Sequence, residues 1–157
     1  MKPLIVFIAL VLVGTMIVCF NGDALRYGDE AAGLKEAASE CAAAAALSLD
    51  PSAYADGRLA FDRDAAVTSA ISSFENYLCK NSRVPVTEAF LTLVANDDSG
   101  IWRYDSTTDL PQLPPINADI PYSVTVCLYL ETPDLFRLAG VEITELCRVS
   151  TYELVVP

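Results

Sequence analysis

The sequence predicts an α+β protein: one long N-terminal helix that starts apolar and turns amphipathic, a second helix, then a small antiparallel sheet. Three observations carry this. Residues 3–20 form an apolar run of 18 positions without a charge. From Asp23 to Leu49 there is no proline, and apolar positions recur at helical spacing. Strand-like alternation is confined to the part of the chain after Pro85. Segregated helices and strands of this kind predict helices packed on one antiparallel sheet.

The apolar run, "PLIVFIALVLVGTMIVCF", is just long enough to cross a bilayer core of about 30 Å. Lys2 precedes it and the net-acidic "NGDALRYGDE" follows. The positive-inside rule then places the N-terminus in the cytoplasm and the remainder outside, as a single-pass protein of the cell membrane. Two other readings compete. A signal peptide cut before Leu25 would have Gly22 and Ala24 as its small residues, but the run exceeds the usual h-region. A lipoprotein signal acylated at Cys19 would have the bulky Val18 where a small residue is wanted. The uncleaved anchor is the reading adopted, with residues 1–22 as transmembrane anchor and 23–157 as an extracytoplasmic head that includes the helix extension.

Asn21 and Gly22 are weak helix formers, so a kink or short break is expected there. Beyond them Tyr27, Ala31, Leu34, Ala38, Cys41 and Ala45 follow at steps of 4, 3, 4, 3 and 4, one stripe of a helix. The stretch "EAASECAAAAALSL" makes that stripe unusually smooth, and small side chains let a neighbour approach closely. The neighbour is either the chain's own second helix or sheet, or another subunit. Asp50-Pro51 is expected to end the helix at Leu49, with "DPSAYADGRLAF" as a loop.

The second helix is capped by Asp62 or Asp64 and carried by "AAVTSAISSFENYLC", with Val67, Ile71, Phe74 and Leu78 as its buried face. "VTEAFLTLVA" at 86–95 reads as a strand, the polar "NDDSG" as its turn, and "IWRY" at 101–104 as its hairpin partner. "TDLPQLPPINADIP" reads as an irregular crossing. "YSVTVCLYLE" at 122–131 turns Val124, Val126, Leu128 and Leu130 to one side. "TPDLFRLAG" is expected to be a turn or short helix, and "TELCRVSTYELVV" at 144–156 the last strand, with an irregularity.

Composition excludes several functions. The 157-residue chain is 53% hydrophobic and 20% charged, with a net charge of −11, which disfavours binding to nucleic acid or anionic lipid. It has no histidine, which removes Ser-His-Asp and Cys-His catalysis and most zinc hydrolase sites. No Gly-rich phosphate loop or GxSxG motif is present, and nothing selects a catalytic pair from the 21 acidic residues. No enzyme activity, cofactor or metal is therefore expected. Of five cysteines, Cys19 lies in the apolar run; Cys41, Cys79, Cys127 and Cys147 permit two disulfides or none. Cys127 and Cys147 sit on strands flanking one connection, which favours a bridge there. Cys41 and Cys79 would lie at different heights along paired helices.

The plan resembles that of pilins and pseudopilins. More specifically, "LKEAASECAAAAALSLDPSAY" followed by "FDRDAAVTSAISSFENYL" resembles TadE/TadG-like proteins of tight-adherence (Flp-type) pilus systems. The resembling part covers residues 1–80. It implies a pilin-like fold and a structural role in a bacterial pilus or secretion machine. The implied partners are membrane lipid and either pilin-like subunits or secretion-platform membrane proteins, in an oligomer bundled along the Tyr27–Ala45 stripe. Pilins usually carry a glutamate near the start of the apolar run, after a basic leader; here position 5 is Ile5 and only Met1 and Lys2 precede the run. An unprocessed minor or accessory component is therefore expected. The other expectation is a membrane-anchored domain that binds a small ligand or peptide in a groove near Trp102, Tyr104 and Tyr122.

Overall fold

The computed structural model describes residues 2–80, 85–108, 116, 119–136 and 141–154. Helix α1 (Lys2–Ala46) runs unbroken for 45 residues, about 67 Å at 1.5 Å per residue. Asn21 and Gly22 do not interrupt it. The propensity cost of two weak formers is small beside the cooperativity of a helix already nucleated on both sides.

The helix stops at Ala46, three residues before the expected end, and the segment read as a loop contains a short helix, α2 (Pro51–Ala55). Asp50 caps it by accepting a 2.8 Å hydrogen bond from the Ser52 N–H, and Pro51 occupies the first turn, where a missing N–H costs nothing. Asp-Pro thus starts a helix here instead of ending one. Residues 48–50 and 60–62 then pair: the Asp50 N–H donates to Ala60 O and the Asp62 N–H to Ser48 O, both at 2.9 Å.

Helix α3 (Arg63–Lys80) starts at its cap Asp62, whose Oδ1 accepts from the Ala65 N–H at 3.1 Å. It runs antiparallel to α1. Ser69 Oγ lies 3.4 Å from Ser48 Oγ beyond the top of α1, and the Tyr77 hydroxyl donates to Glu30 at 2.8 Å further down. Its buried residues are Ala66, Ala70, Phe74 and Tyr77. The expected face is therefore turned by about one residue: Phe74 holds, while Val67, Ile71 and Leu78 are half-buried on its flank. Alanines occupy the deep seam because two helix backbones approach closest where side chains are smallest.

Strands β1 (Glu88–Asp97), β2 (Gly100–Asp105), β3 (Ser123–Phe136) and β4 (Val141–Glu153) form one antiparallel sheet in the order β2-β1-β3-β4. β1 and β2 meet at a tight turn over Asp98 and Ser99, where Gly100 takes a φ of 104° that favours glycine. Val124, Val126, Leu128 and Leu130 all face the helices and are fully buried, as the alternation predicts, beside Leu91, Leu93, Ala95 and Leu146. β3 does not turn after Glu131 but continues through Phe136, with a register shift between Pro133 and Phe136. Pro133 supplies the reason: it lacks an N–H and sits where pairing is already irregular, the one place a strand tolerates it. The expected irregularity thus falls on β3. The crossing read at 108–121 lies mostly outside the described residues, as do 137–140 and the end of the last predicted strand at 155–156.

The helices cover one face of the sheet. α1 packs on β3 and β4 and against α3. Ser39 Oγ meets Ser150 Oγ of β4 at 3.0 Å. One hydrophobic cluster joins α1, α3 and the four strands.

Candidate functional site

The first half of α1 is the most unusual surface of the chain. Residues 3–20 are exposed along their whole length, and Phe20 at their end meets the Phe136 ring of the head. This helix is long and apolar enough to cross a membrane, and none of its most apolar window is buried inside the protein. So large an apolar patch is incompatible with free exposure to water. An 18-residue stretch is about 27 Å long as a helix, close to a bilayer core.

The sequence-predicted stripe begins where that exposed half ends. Tyr27 is half-buried, and Ala31, Leu34, Ala38, Cys41 and Ala45 are buried, the last four completely. The chain fills this face itself, from α3 on one side and the sheet on the other. Ala37, Ala42 and Ala46 are buried too, which widens the contact from one stripe to two. The single-stripe reading missed them because alanine's weak hydrophobicity hardly marks a second face. Bundling of neighbouring subunits along Leu34–Ala45, as the resemblance implies, would require the head to open. Burial pushes the Cys41 thiol up to about 12, with the neighbouring Glu40 carboxylate adding to it, so it stays protonated and inert. Cys79 is exposed on the last turn of α3, beyond Tyr77, which packs at the level of Gly33, so Cys41 and Cys79 are far apart.

Tyr27 and Phe20 have a partner that the sequence did not disclose. The Phe136 ring lies 5.7 Å from that of Tyr27 and 6.3 Å from that of Phe20. The far end of β3 thus reaches the last residue of the apolar run.

On the sheet face away from the helices, Cys127 and Cys147 come together. Cys127 pairs in register with Val149 and Cys147 with Tyr129, so the two thiols are diagonal neighbours on one face. Their sulfurs are 3.2 Å apart and both thiols are free. The hydrogen bond to Cys147, with burial second, raises the Cys127 thiol well above its ordinary range. The same hydrogen bond lowers Cys147 against the opposing effect of burial, and the Arg148 charge helps. Cys147 is the more exposed of the two. Nearby, Asp105 accepts from Thr92 Oγ1 at 2.8 Å and pairs with Arg103 at 2.8 Å.

A groove of about 420 Å³ lies between α3 and β2, lined by Arg63, Val67, Trp102 and Tyr104 among others. The Arg63 guanidinium stands 5.5 Å from the Trp102 ring centre, a cation–π contact. Trp102 Nε1 is buried near Asp97 but outside hydrogen-bond geometry. Two of the three aromatic residues expected at a groove are therefore here. Tyr122 is not: it lies in the turn just before β3 with a φ of 51°, and its hydroxyl donates to Asp98 at 2.9 Å.

The acidic "NDDSG" turn is a structural clamp. Asp97 Oδ2 accepts from the Phe61 N–H at 2.9 Å and its Oδ1 from the Ser99 N–H at 2.7 Å. Asp98 Oδ2 accepts from the Leu59 N–H at 2.7 Å. Burial pushes Asp97 up, but the Phe61 and Ser99 donors outweigh it and hold the carboxyl below its ordinary value of 3.8. Both carboxylates are spent on backbone N–H and hydroxyl donors, and no acid or thiol cluster able to hold a metal ion occurs among the described residues.

Compared with known proteins, the chain matches no protein-family model, no curated protein and no solved structure.

Proposed function

We propose that this protein is a membrane-anchored structural component of a bacterial envelope assembly, a TadE-like minor pilin or pseudopilin, or a partner of one in a pilus or secretion machine. The supporting observation is the continuity of α1. One unbroken helix is wholly exposed and apolar in its first half and forms the centre of the head's core in its second. An anchor joined this way transmits orientation and force to the head without a hinge, which suits a scaffold more than a tethered enzyme. In this reading residues 3–20 span the membrane, Lys2 lies on the cytoplasmic side and the head lies outside. Association with neighbouring subunits uses the exposed flank of α1 within the bilayer and the head surface. An oxidising compartment closes Cys127 and Cys147 into a disulfide.

The test is the intact mass of the native protein in two fractions of the cells that make it, sheared surface filaments and washed membranes. Protein in the filaments makes it a filament subunit, and its mass shows whether N-terminal residues have been removed. Full-length protein in membranes alone overturns the filament-subunit reading and leaves the accessory component.

One observation favours a second reading, a membrane-anchored domain that binds a small ligand or peptide. The groove between α3 and β2 offers a large aromatic floor with Arg63 above it. Such a protein would be monomeric in detergent, and an Arg63→Ala change would abolish ligand capture without altering membrane association.

A further inference from the structure

We propose that the far end of the β3–β4 ribbon docks on the membrane surface, with Phe136 and Tyr27 seated in the headgroup layer beside the spanning helix. This rests on the reading of residues 3–20 as a membrane span. If they span, Phe20 is the last apolar residue of the crossing, and the hydrocarbon core ends at its level. Tyr27 lies seven residues further on, about 10 Å along the helix and within the reach of the headgroup region. Phe136 touches both rings, so the end of β3 is held between these two heights.

The sheet is shaped for this. Among the described residues β1 pairs with β3 as far as Glu131, and beyond it β3 pairs with β4 as a ribbon toward the apolar run. A two-stranded ribbon is marginal in water by itself; here Phe136 rests on α1 through Phe20 and Tyr27, and contact with lipid adds apolar cover to the same end. Phe136 and Tyr27 are each half-buried, so part of each ring stays open, and Ile143 on the ribbon is exposed. The tyrosine ring favours the bilayer interface, where one end of the ring is apolar and the other wet, and a phenylalanine beside it buries its wholly apolar ring at the boundary of headgroups and acyl chains. The occupant is lipid and not a second copy, because any spanning helix meets the headgroup layer at this height. With a net charge of −11 the chain gains nothing from anionic lipid, so docking works on zwitterionic bilayers and resists salt.

The test uses the full chain in phosphatidylcholine vesicles, with Trp102→Phe removing the native indole and one new tryptophan per variant. Phe7→Trp probes the middle of the apolar run, Phe136→Trp the ribbon, and Tyr54→Trp the exposed α2 at the far end of the head. Bromine atoms are placed either near the lipid headgroups or near the chain ends. The proposal expects Phe7→Trp to be quenched most by deep bromines and Phe136→Trp by shallow ones, at low and high salt alike, with Tyr54→Trp unquenched. Phe7→Trp quenched while Phe136→Trp behaves like Tyr54→Trp overturns the docking and leaves the span intact. No quenching of Phe7→Trp overturns the span and the docking with it. Blue-shifted but unquenched emission from Phe136→Trp that depends on protein concentration means that a second copy covers the ribbon, which also overturns it.

Discussion

At the residue scale, the smallest side chains carry the tightest constraint. Ala38, Ala42 and Ala45 are fully buried where α1 is enclosed by α3 and the sheet. Each contributes little apolar area, but none leaves room for a larger side chain. Ala38→Leu should therefore destabilise the head by about 1–3 kcal/mol through overpacking, measured by urea unfolding. Unchanged stability would mean that the seam is looser than described. Asp97 is the other critical residue, since it holds the loop before α3 by the Phe61 N–H. Asp97→Ala should cost about 1–3 kcal/mol at neutral pH by leaving a buried donor unpaired. Its carboxyl titrates lower in the folded than in the unfolded chain, so its stabilisation is complete well above 3.8 and fades as pH falls below that value. The gap between Asp97→Ala and the parent should close over the same range in acid unfolding curves.

At the element scale, the β3–β4 ribbon combines two features. Its far end meets α1 through Phe136, and its middle brings Cys127 and Cys147 into contact. Exposure to a small disulfide oxidant should convert this pair to a disulfide in preference to any pairing of Cys41 with Cys79, because only the first pair is adjacent. In the exchange the Cys147 thiolate attacks the oxidant, and Cys127 then displaces the resulting mixed disulfide, releasing both halves of the oxidant as thiols. Alkylation and peptide mass analysis checks this. With the oxidised protein unfolded before alkylation, so that buried Cys41 also reacts, protection confined to the peptides containing Cys127 and Cys147 is expected, and equal alkylation of all cysteines would refute it. The alternation of "YSVTVCLYLE" made the β3 core face legible. The strand's extension past Pro133 was not, because proline signals a break locally and only pairing with β4 carries the chain through it.

For the whole molecule, the core and the apolar run are separate parts of one helix. Among the described residues, every buried one lies at Glu30 or beyond. A chain beginning at Asn21 should therefore be soluble and unfold in one cooperative transition close to that of the head in the full protein, while the full chain partitions into detergent or bilayer. Loss of cooperative unfolding in the shortened chain would show that the contact of Phe20 with Phe136 is needed to hold the ribbon. The alanine-rich stripe is spent inside the chain, whereas residues 3–20 stay exposed.

The sequence by itself determined the class and the order of the two long helices and four strands, though not the short α2, because a long uncharged run, helical spacing and strict alternation are local patterns with few solutions. It also marked Val124–Leu130 as core and the strands that bring Cys127 to Cys147. Only the tertiary structure decided which face of α3 is buried, what the alanine stripe packs against and how far β3 extends. Alanines are nearly silent in hydrophobic periodicity, so two candidate seams score alike until a neighbouring backbone selects one. The meeting of Phe20, Tyr27 and Phe136 was equally hidden, since residues more than a hundred positions apart are brought together by the register of the sheet and by nothing in their own neighbourhoods.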